Sequence, residues 1–242
     1  MSHIPPIFKR ELMQKQFNER GFVKVSLLNE DQVQDLNDFF ILNREEHFTI
    51  DKLHHTTTDT ENLLLINHVD DKIKSILLPE LEKILVSFKP LASCFHIKKQ
   101  GAGSETGVHQ DPTFVDEQNF CSANVWVALQ DTNEKNGNLF FISGSNHAIT
   151  SLRVTPSFPS YYDSFREIMP KLAVHVPLKK GEAVIFNNAT IHGATENLSD
   201  EIRLAATLLI CSERAQWLLY YQEEEKFSNK IGRYHLDLKT FF

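Results

Sequence analysis

The sequence predicts a mainly β fold with flanking helices, a sandwich or barrel in kind, and two observations carry that expectation. From residue 91 onward, short apolar runs of strand character follow one another, with turn signals at Asn136-Gly137, Gly144 and Gly181. Many short strands at modest spacing suit a sandwich or barrel better than a parallel α/β sheet. Before residue 91 the apolar periodicity is mainly helical. A chain of 242 residues can bury a full core, so one domain is expected, with 1–90 mainly helical and 91–215 forming the β core.

The elements justify themselves in order. KRELMQKQFNER (9–20) reads as a first helix closed by Gly21, a residue suited to the helix C-cap. FVKVSL (22–27) alternates like a short strand. Asn29 opens a second helix, Gln32 completes a capping-box pattern, and Val33, Leu36, Phe39 and Phe40 supply the apolar stripe. The polar stretch TIDKLHHTTTDTEN (49–62), with His54, His55 and Asp59, reads as a mobile loop, a substrate lid being the sharper alternative. A third helix is expected over 71–88, with Asp70 or Asp71 as its N-cap and a bend or restart at Pro79. The strand-like runs are then ASCFHIKK, SANVWVALQ, NLFFIS, LAVHVPL, EAVIF and RLAATLLIC. Residues 151–170, with Pro156, Pro159 and Pro170 among aromatics, interrupt this rhythm as an inserted loop or short helix. The run Glu223-Glu224-Glu225 reads as a solvated face.

Composition excludes several classes of function. Hydrophobic residues at 41% and charged residues at 24% are those of an ordinary globular protein. A formal net charge of −7 argues against a nucleic-acid partner, since phosphate binding needs a basic surface. MSHIPPIFKRELMQKQF has no apolar leader core and no run approaches membrane-spanning length, so no membrane partner is expected. Cys94, Cys121 and Cys211 are far apart without CxxC spacing, and read as reduced, mostly buried thiols of a cytoplasmic protein.

The residues that promise chemistry are His-x-Asp pairs, of which the chain has three. On a strand, residues i and i+2 project from one face and can bind one ion at adjacent positions. His68-Val69-Asp70 abuts the third helix, where the carboxylate is better used as a cap. His235-Leu236-Asp237 has no histidine after it to complete a site. His109-Gln110-Asp111 alone stands at the entrance to the strand-rich region with histidines still to come. Downstream, His192 follows a probable strand and Arg203 opens a strongly apolar one, eleven residues later (203 − 192), a spacing no other histidine here shares.

Two histidines and a carboxylate on one face of an octahedral ion make the facial triad of non-haem Fe(II) oxygenases. In members that use 2-oxoglutarate, the co-substrate chelates the ion and its far carboxylate needs a partner in a dry pocket. Arginine suits that task, being always charged and able to bind a carboxylate through two parallel hydrogen bonds. A lone arginine in RLAATLLI would be costly to bury without an anion.

The chain resembles the phytanoyl-CoA dioxygenase family of Fe(II)/2-oxoglutarate oxygenases. GFVKVSLLNEDQVQDL resembles the family's opening strand and helix. HQD followed by VWVALQDTNEKNGNLFFISGSNH resembles its central hairpin, and HGATENLSDEIR its distal His-to-Arg segment. The resemblance implies a double-stranded β-helix, or jelly roll, with helices outside the larger sheet. It implies iron on His109, Asp111 and His192, and the C5 carboxylate of 2-oxoglutarate on Arg203. Trp126 matches a tryptophan lining the co-substrate pocket, with an ordinary core aromatic as the alternative. Lys99 (or Lys98) and Phe95 are further carry-overs to that pocket. Members often carry HGS where this chain has His192-Gly193-Ala194, so Thr190 or Thr207 would have to replace that hydroxyl.

The implied reaction couples oxidative decarboxylation of 2-oxoglutarate, giving succinate and CO2, to hydroxylation of an unactivated C–H bond in a small molecule, free or carrier-bound. Ascorbate is expected to stimulate it. The intact carboxylate at Asp111 argues for hydroxylation, or for desaturation or ring closure, and against halogenation, for which relatives place Ala or Gly there. The alternatives are a cupin-like metalloenzyme that does not use 2-oxoglutarate and a non-catalytic β-helix binding module. His96 and His175, within apolar strand patterns, read as core or surface residues, and Phe114 and Phe120 as pocket wall or core.

Overall fold

The structure, a computed structural model, describes residues 4–47, 52–148, 152–154, 167–222 and 231–235. Helix α1 (Glu11–Arg20) stops where Gly21 turns left-handed at φ 85° and donates its N–H to Phe17 O. Strand β1 (Phe22–Ser26) leads into α2 (Glu30–His47). At the start of α2, Asn29 Oδ1 accepts from Gln32 N and Gln32 Oε1 from Asn29 N, both at 2.9 Å. This is the reciprocal box that the spacing predicts.

Two expectations fail in the next segment. Where a mobile loop was expected, His54–Thr56 forms β2, paired with the last residues of β3 (Phe88–Lys98). Thr57 extends the pairing by exchanging bonds with Phe95, Thr57 N to Phe95 O and Phe95 N to Thr57 Oγ1, each at 3.1 Å. Three residues are too few to show a period, so pairing with a long neighbour supplies the order that the local sequence lacks. Helix α3 (Leu63–Ile84) begins eight residues earlier than expected (71 − 63) and runs through Pro79 without a break. Its cap is Asn62, whose side chain accepts from Leu65 N. Asp70 is no cap. It lies mid-helix on the buried side, accepting from Ser93 N at 2.7 Å and Ser93 Oγ at 2.8 Å, with Lys74 Nζ 2.5 Å from its other oxygen.

The remaining elements are β4 (Thr106–His109), β5 (Ser122–Ala128), β6 (Leu139–Phe141), the short helices α4 (Ser145–Ala148) and α5 (Met169–Leu172), β7 (Val174–Val176), β8 (Glu182–Asn187), β9 (His192–Ala194), β10 (Arg203–Ser212), β11 (Leu218–Gln222) and β12 (Ile231–His235). The large sheet runs β1-β8-β5-β10-β3-β2 and the small one β4-β9-β6-β7, while β11 and β12 form a separate hairpin. Among the described residues, neighbouring strands pair antiparallel throughout. Strands β3 to β10 distribute themselves four to each sheet, which is the jelly roll, and β1 and β2 from the N-terminal part add the two edges of the large sheet. Glu223 to Glu225, Asp237 and most of the 151–170 insertion lie outside the described residues.

Alternation along the strands builds the two layers. One face of the large sheet (Phe95, Ile97, Val125, Val127, Ile185, Leu208) joins Leu36 and Phe40 of α2 and Ile73 and Leu77 of α3 in one apolar cluster. The opposite face (Trp126, Val184, Phe186, Ala205) meets Leu139, Phe141, Val176 and Ala194 of the small sheet. Strand β10 sits between β3 and β5 and is buried on both faces, which is why RLAATLLIC reads as a continuous apolar run. No helix among the described residues is long and apolar enough to cross a membrane.

Candidate active site

His109, the last residue of β4, and His192, the first of β9, are direct cross-strand partners with ring centroids 4.3 Å apart. The rise of the strand into a loop brings in Asp111, whose N–H is tied to Asn188 O at 3.0 Å. The ligand atoms of the three residues lie within 4.8 Å of one another, and each imidazole Nε2 stands 3.7 Å from Asp111 Oδ1. His109 Nδ1 is 2.8 Å from Gly107 O, and His192 Nδ1 is 2.9 Å from Thr190 O. A carbonyl oxygen only accepts, so both Nδ1 atoms carry the proton and both Nε2 lone pairs turn toward the carboxylate. Asp111 Oδ2 is buried with no hydrogen-bond partner among the described residues. Converging lone pairs beside an unsatisfied carboxylate oxygen repel one another unless a cation sits between them. The donor set therefore fits Fe(II).

The electrostatics agree. Burial alone would raise the Asp111 carboxyl, but His192 and His109 hold it down at about 2. Burial and then His109 push His192 down to about 4, leaving it neutral at ordinary pH. Burial works against protonation of His109 too, yet Asp111 outweighs it and the pKa is raised. Gly193 between the strand's inward residues has a steric reason. A Cβ there would meet the Phe140 ring at 2.5 Å and Thr106 O at 2.8 Å.

Arg203 opens β10 on the inward face, 1% exposed, with its guanidinium carbon 5.0 Å from the centre of the Trp126 ring. Its Nε and Nη1 have no hydrogen-bond partner among the described residues, and burial lowers its pKa to about 9. Trp126 is thus both a member of the apolar cluster between the sheets and the ring against which the guanidinium lies. Directly across from Arg203 stands Lys98, fully buried, its Nζ donating to Thr195 O at 2.7 Å. Burial, then Arg203, lowers Lys98 to about 7. Two basic side chains thus lie buried side by side, and the guanidinium keeps N–H groups that an anion would satisfy.

Other expectations need correction. Phe95 faces away from the chamber, toward the helices, with Phe40 and Phe39 ring centroids at 5.5 and 6.3 Å. Lys99 follows β3 with the parity of Phe95 and Ile97 and acts electrostatically on His55, so Lys98 is the lysine on the inward face. Of the two threonines considered, Thr190 commits its hydroxyl to Gly21 O at 3.0 Å, while Thr207 pairs with Trp126 and Cys94 on the inward face. His175 remains on the outside of the small sheet against Phe140. Phe114 packs edge-on to Trp217, and Phe120 borders a cavity of about 670 Å³ beside the loop after Asp111. No triad residue lines that cavity, although Thr113 and Ala189 do.

His96, which the apolar strand pattern reads as a core or surface residue, shares one face of β3 with Lys98. Burial first, then Arg203, lower it to about 3 against the opposing pull of Asp111. His54 stands beside it, ring centroids 5.7 Å apart.

A jelly roll whose small sheet and adjoining loop carry a His-Asp-His triad, with a buried guanidinium on the large sheet, belongs to the class of iron- and 2-oxoglutarate-dependent oxygenases. The chain is a member of the phytanoyl-CoA dioxygenase (PhyH) family, whose profile matches residues 17–205. It is 33% identical to phytanoyl-CoA dioxygenase domain-containing protein 1 of Danio rerio over 80% of this chain and 68% of that protein. Relatives from rice and rat match about half of this chain, which spans less than half of their length. Among solved structures, the epimerase SnoN in complex with Fe3+, alpha ketoglutarate and nogalamycin RO aligns over 86% of this chain and 85% of its own, with TM-score 0.61 and 17% identity. The alpha ketoglutarate-dependent carbocyclase SnoK of nogalamycin biosynthesis aligns over 86% of each chain, with TM-score 0.59 and 17% identity.

Proposed function

We propose that this chain is an Fe(II)- and 2-oxoglutarate-dependent oxygenase that hydroxylates an unactivated C–H bond of a small molecule, free or carrier-bound. The observation that carries the reading is the meeting of three ligand atoms within 4.8 Å in the same fold as a buried arginine with unsatisfied donors. His109, Asp111 and His192 would hold the ion, their Nδ1 protons fixed on backbone carbonyls so that the rings cannot turn. Arg203 would bind the C5 carboxylate of 2-oxoglutarate against the face of Trp126. When bound, Fe(II) supplies the oxygen chemistry that splits 2-oxoglutarate to succinate and CO2 and oxidises the substrate. The chain's share is to bind, orient and keep water out. Solved structures of this fold include an epimerase and a carbocyclase, and the intact Asp111 is compatible with desaturation or ring closure as well as with the hydroxylation proposed.

A cupin-like metalloenzyme that does not use 2-oxoglutarate would have no use for a buried cation beside the metal, and a binding module would have none for three converging ligands. The 242 residues act as one domain in this reading, and the three free thiols support a reducing compartment, the cytoplasm. Anaerobically purified protein given Fe(II), ascorbate and 2-oxoglutarate, then O2, should release succinate, and more of it with the right substrate. Asp111→Ala and His192→Ala should abolish release. Arg203→Ala should weaken 2-oxoglutarate binding while sparing metal uptake. Turnover that persists in the Asp111 or His192 variants would refute the ligand assignment.

A further inference from the structure

We infer that Arg153 is a positioning residue for Asp111 and that it ties the described piece Leu152–Val154 to that metal ligand. The inference rests on the metal reading of the triad and not on the identity of any co-substrate.

Asp111 lies on a loop held from two sides. On one side, Asp111 N donates to Asn188 O at 3.0 Å and Gln110 Nε2 to Ala189 O at 2.5 Å. Those ties reach the run-up to β9, so they belong to the jelly roll that also supplies His192. On the other side stands Arg153, in the described piece Leu152–Val154 of the insertion. Its Nε donates to the Asp111 carbonyl at 2.6 Å, and its Nη1 and Nη2 donate to the two carboxylate oxygens of Glu117 at 2.9 and 2.5 Å. The backbones join as well, Arg153 N to Thr113 Oγ1 and Thr113 N to Arg153 O, each at 3.1 Å. One planar group therefore spans the loop from Asp111 to Glu117, and the Arg153 side chain is only 10% exposed.

The chemistry of the fork matters. A guanidinium offers its Nε and both Nη atoms in fixed directions, whereas a lysine offers one point charge and cannot meet the carbonyl and both carboxylate oxygens together. Freeing the Asp111 carbonyl lets that peptide rotate and carries the carboxylate away from the position where Oδ1 stands 3.7 Å from both Nε2 atoms. Metal sites tolerate ligand displacements of only about 0.2 Å, and loss of an outer partner of a ligand typically costs 10–100-fold in metal affinity. Thr113, Glu117 and Leu152 also line the 670 Å³ cavity beside this loop, so whatever fills that space touches the same clamp.

The test uses Co(II), which needs neither co-substrate nor O2, with affinity by calorimetry and coordination by the visible d–d spectrum. Arg153→Met and Arg153→Lys should each weaken Co(II) binding about tenfold or more and alter the d–d bands. Arg153→Lys keeps the charge, so its metal-free thermal midpoint should fall less than that of Arg153→Met while its Co(II) affinity falls as far. Glu117→Gln, which leaves the bond to the Asp111 carbonyl in place, should weaken binding less. Hydrogen exchange at the Thr113 amide should slow when Co(II) is added to the parent, and should not respond in Asp111→Ala. Co(II) affinities within twofold of the parent in both Arg153 variants would overturn the role assigned to Arg153 alone. A parent protein that takes up no Co(II) would instead sink the metal reading beneath it.

Discussion

Lys98 and Arg203 are direct partners across β3 and β10, and the cost of burying two basic groups side by side is measurable. Lys98 is held at about 7, against 10.5 for an ordinary amine, by burial first and Arg203 second. Between those two pH values the unfolded chain binds a proton that the folded chain does not. Stability of the ligand-free protein should therefore rise with pH across the window, by at most about 1.4 kcal/mol per pH unit, and the slope should vanish below it where both forms are protonated. Lys98→Met should flatten the curve in urea titrations. An unchanged slope would show that burial does not neutralise this amine. Phe95 gives the opposite test. Phe95→Ala should cost about 3–5 kcal/mol of stability, yet leave 2-oxoglutarate affinity per folded molecule within about twofold, because the ring packs on the helices. The convergence of His109, Asp111 and His192 and the burial of Arg203 were legible in the sequence because that set of residue types at that spacing is rare by chance. Lys98 was not, since a shift of one position along a strand reverses the face, and Lys98-Lys99 offers no local signal for the choice.

Elements were legible where their own residues specify them. Gly21 and the Asn29–Gln32 box mark helix ends by chemistry carried within a few residues. Helix α3 was misread because its cap, Asn62, lies in a polar stretch and its buried Asp70 looked like a cap. Asp70 has a different purpose, receiving Ser93 N and Ser93 Oγ from β3 and Lys74 from its own helix, and so pins the helix to the sheet. Removal of one partner from a buried, charge-assisted network leaves the others unsatisfied. Asp70→Ala should thus destabilise by about 3–5 kcal/mol, and Asn62→Ala by about 1 kcal/mol. Equal, small losses from both, read from urea midpoints, would return Asp70 to the role of a surface residue. Strand β2 was illegible for another reason: its order comes from β3, forty residues onward, and no local pattern reports a pairing at that distance.

At the scale of the molecule, the sandwich was readable from the recurrence of short apolar runs, but the edges of the large sheet were not, because β1 reads as a strand without showing which strand it joins and β2 lies in a stretch that reads as a loop. The completed sandwich has a purpose that its stability alone does not explain. Its inward surface carries Arg203, Lys98 and the triad, groups whose like charges and lone pairs repel one another. A cation among the triad and an anion at Arg203 would offset that repulsion. Arg203→Met should therefore unfold at a higher urea concentration than the parent without ligands, by about 1–4 kcal/mol, since an unpaired buried cation is replaced by an apolar chain of similar length. Anaerobic addition of Mn(II) with 2-oxoglutarate should reverse the order. The parent should gain about 2.7 kcal/mol at a hundred times the dissociation constant, and the variant should respond to Mn(II) while ignoring the keto acid. A ligand-free variant that loses as much stability as a core truncation would mean that the guanidinium already has its partner inside the protein, and the chamber would then have no place for a carboxylate.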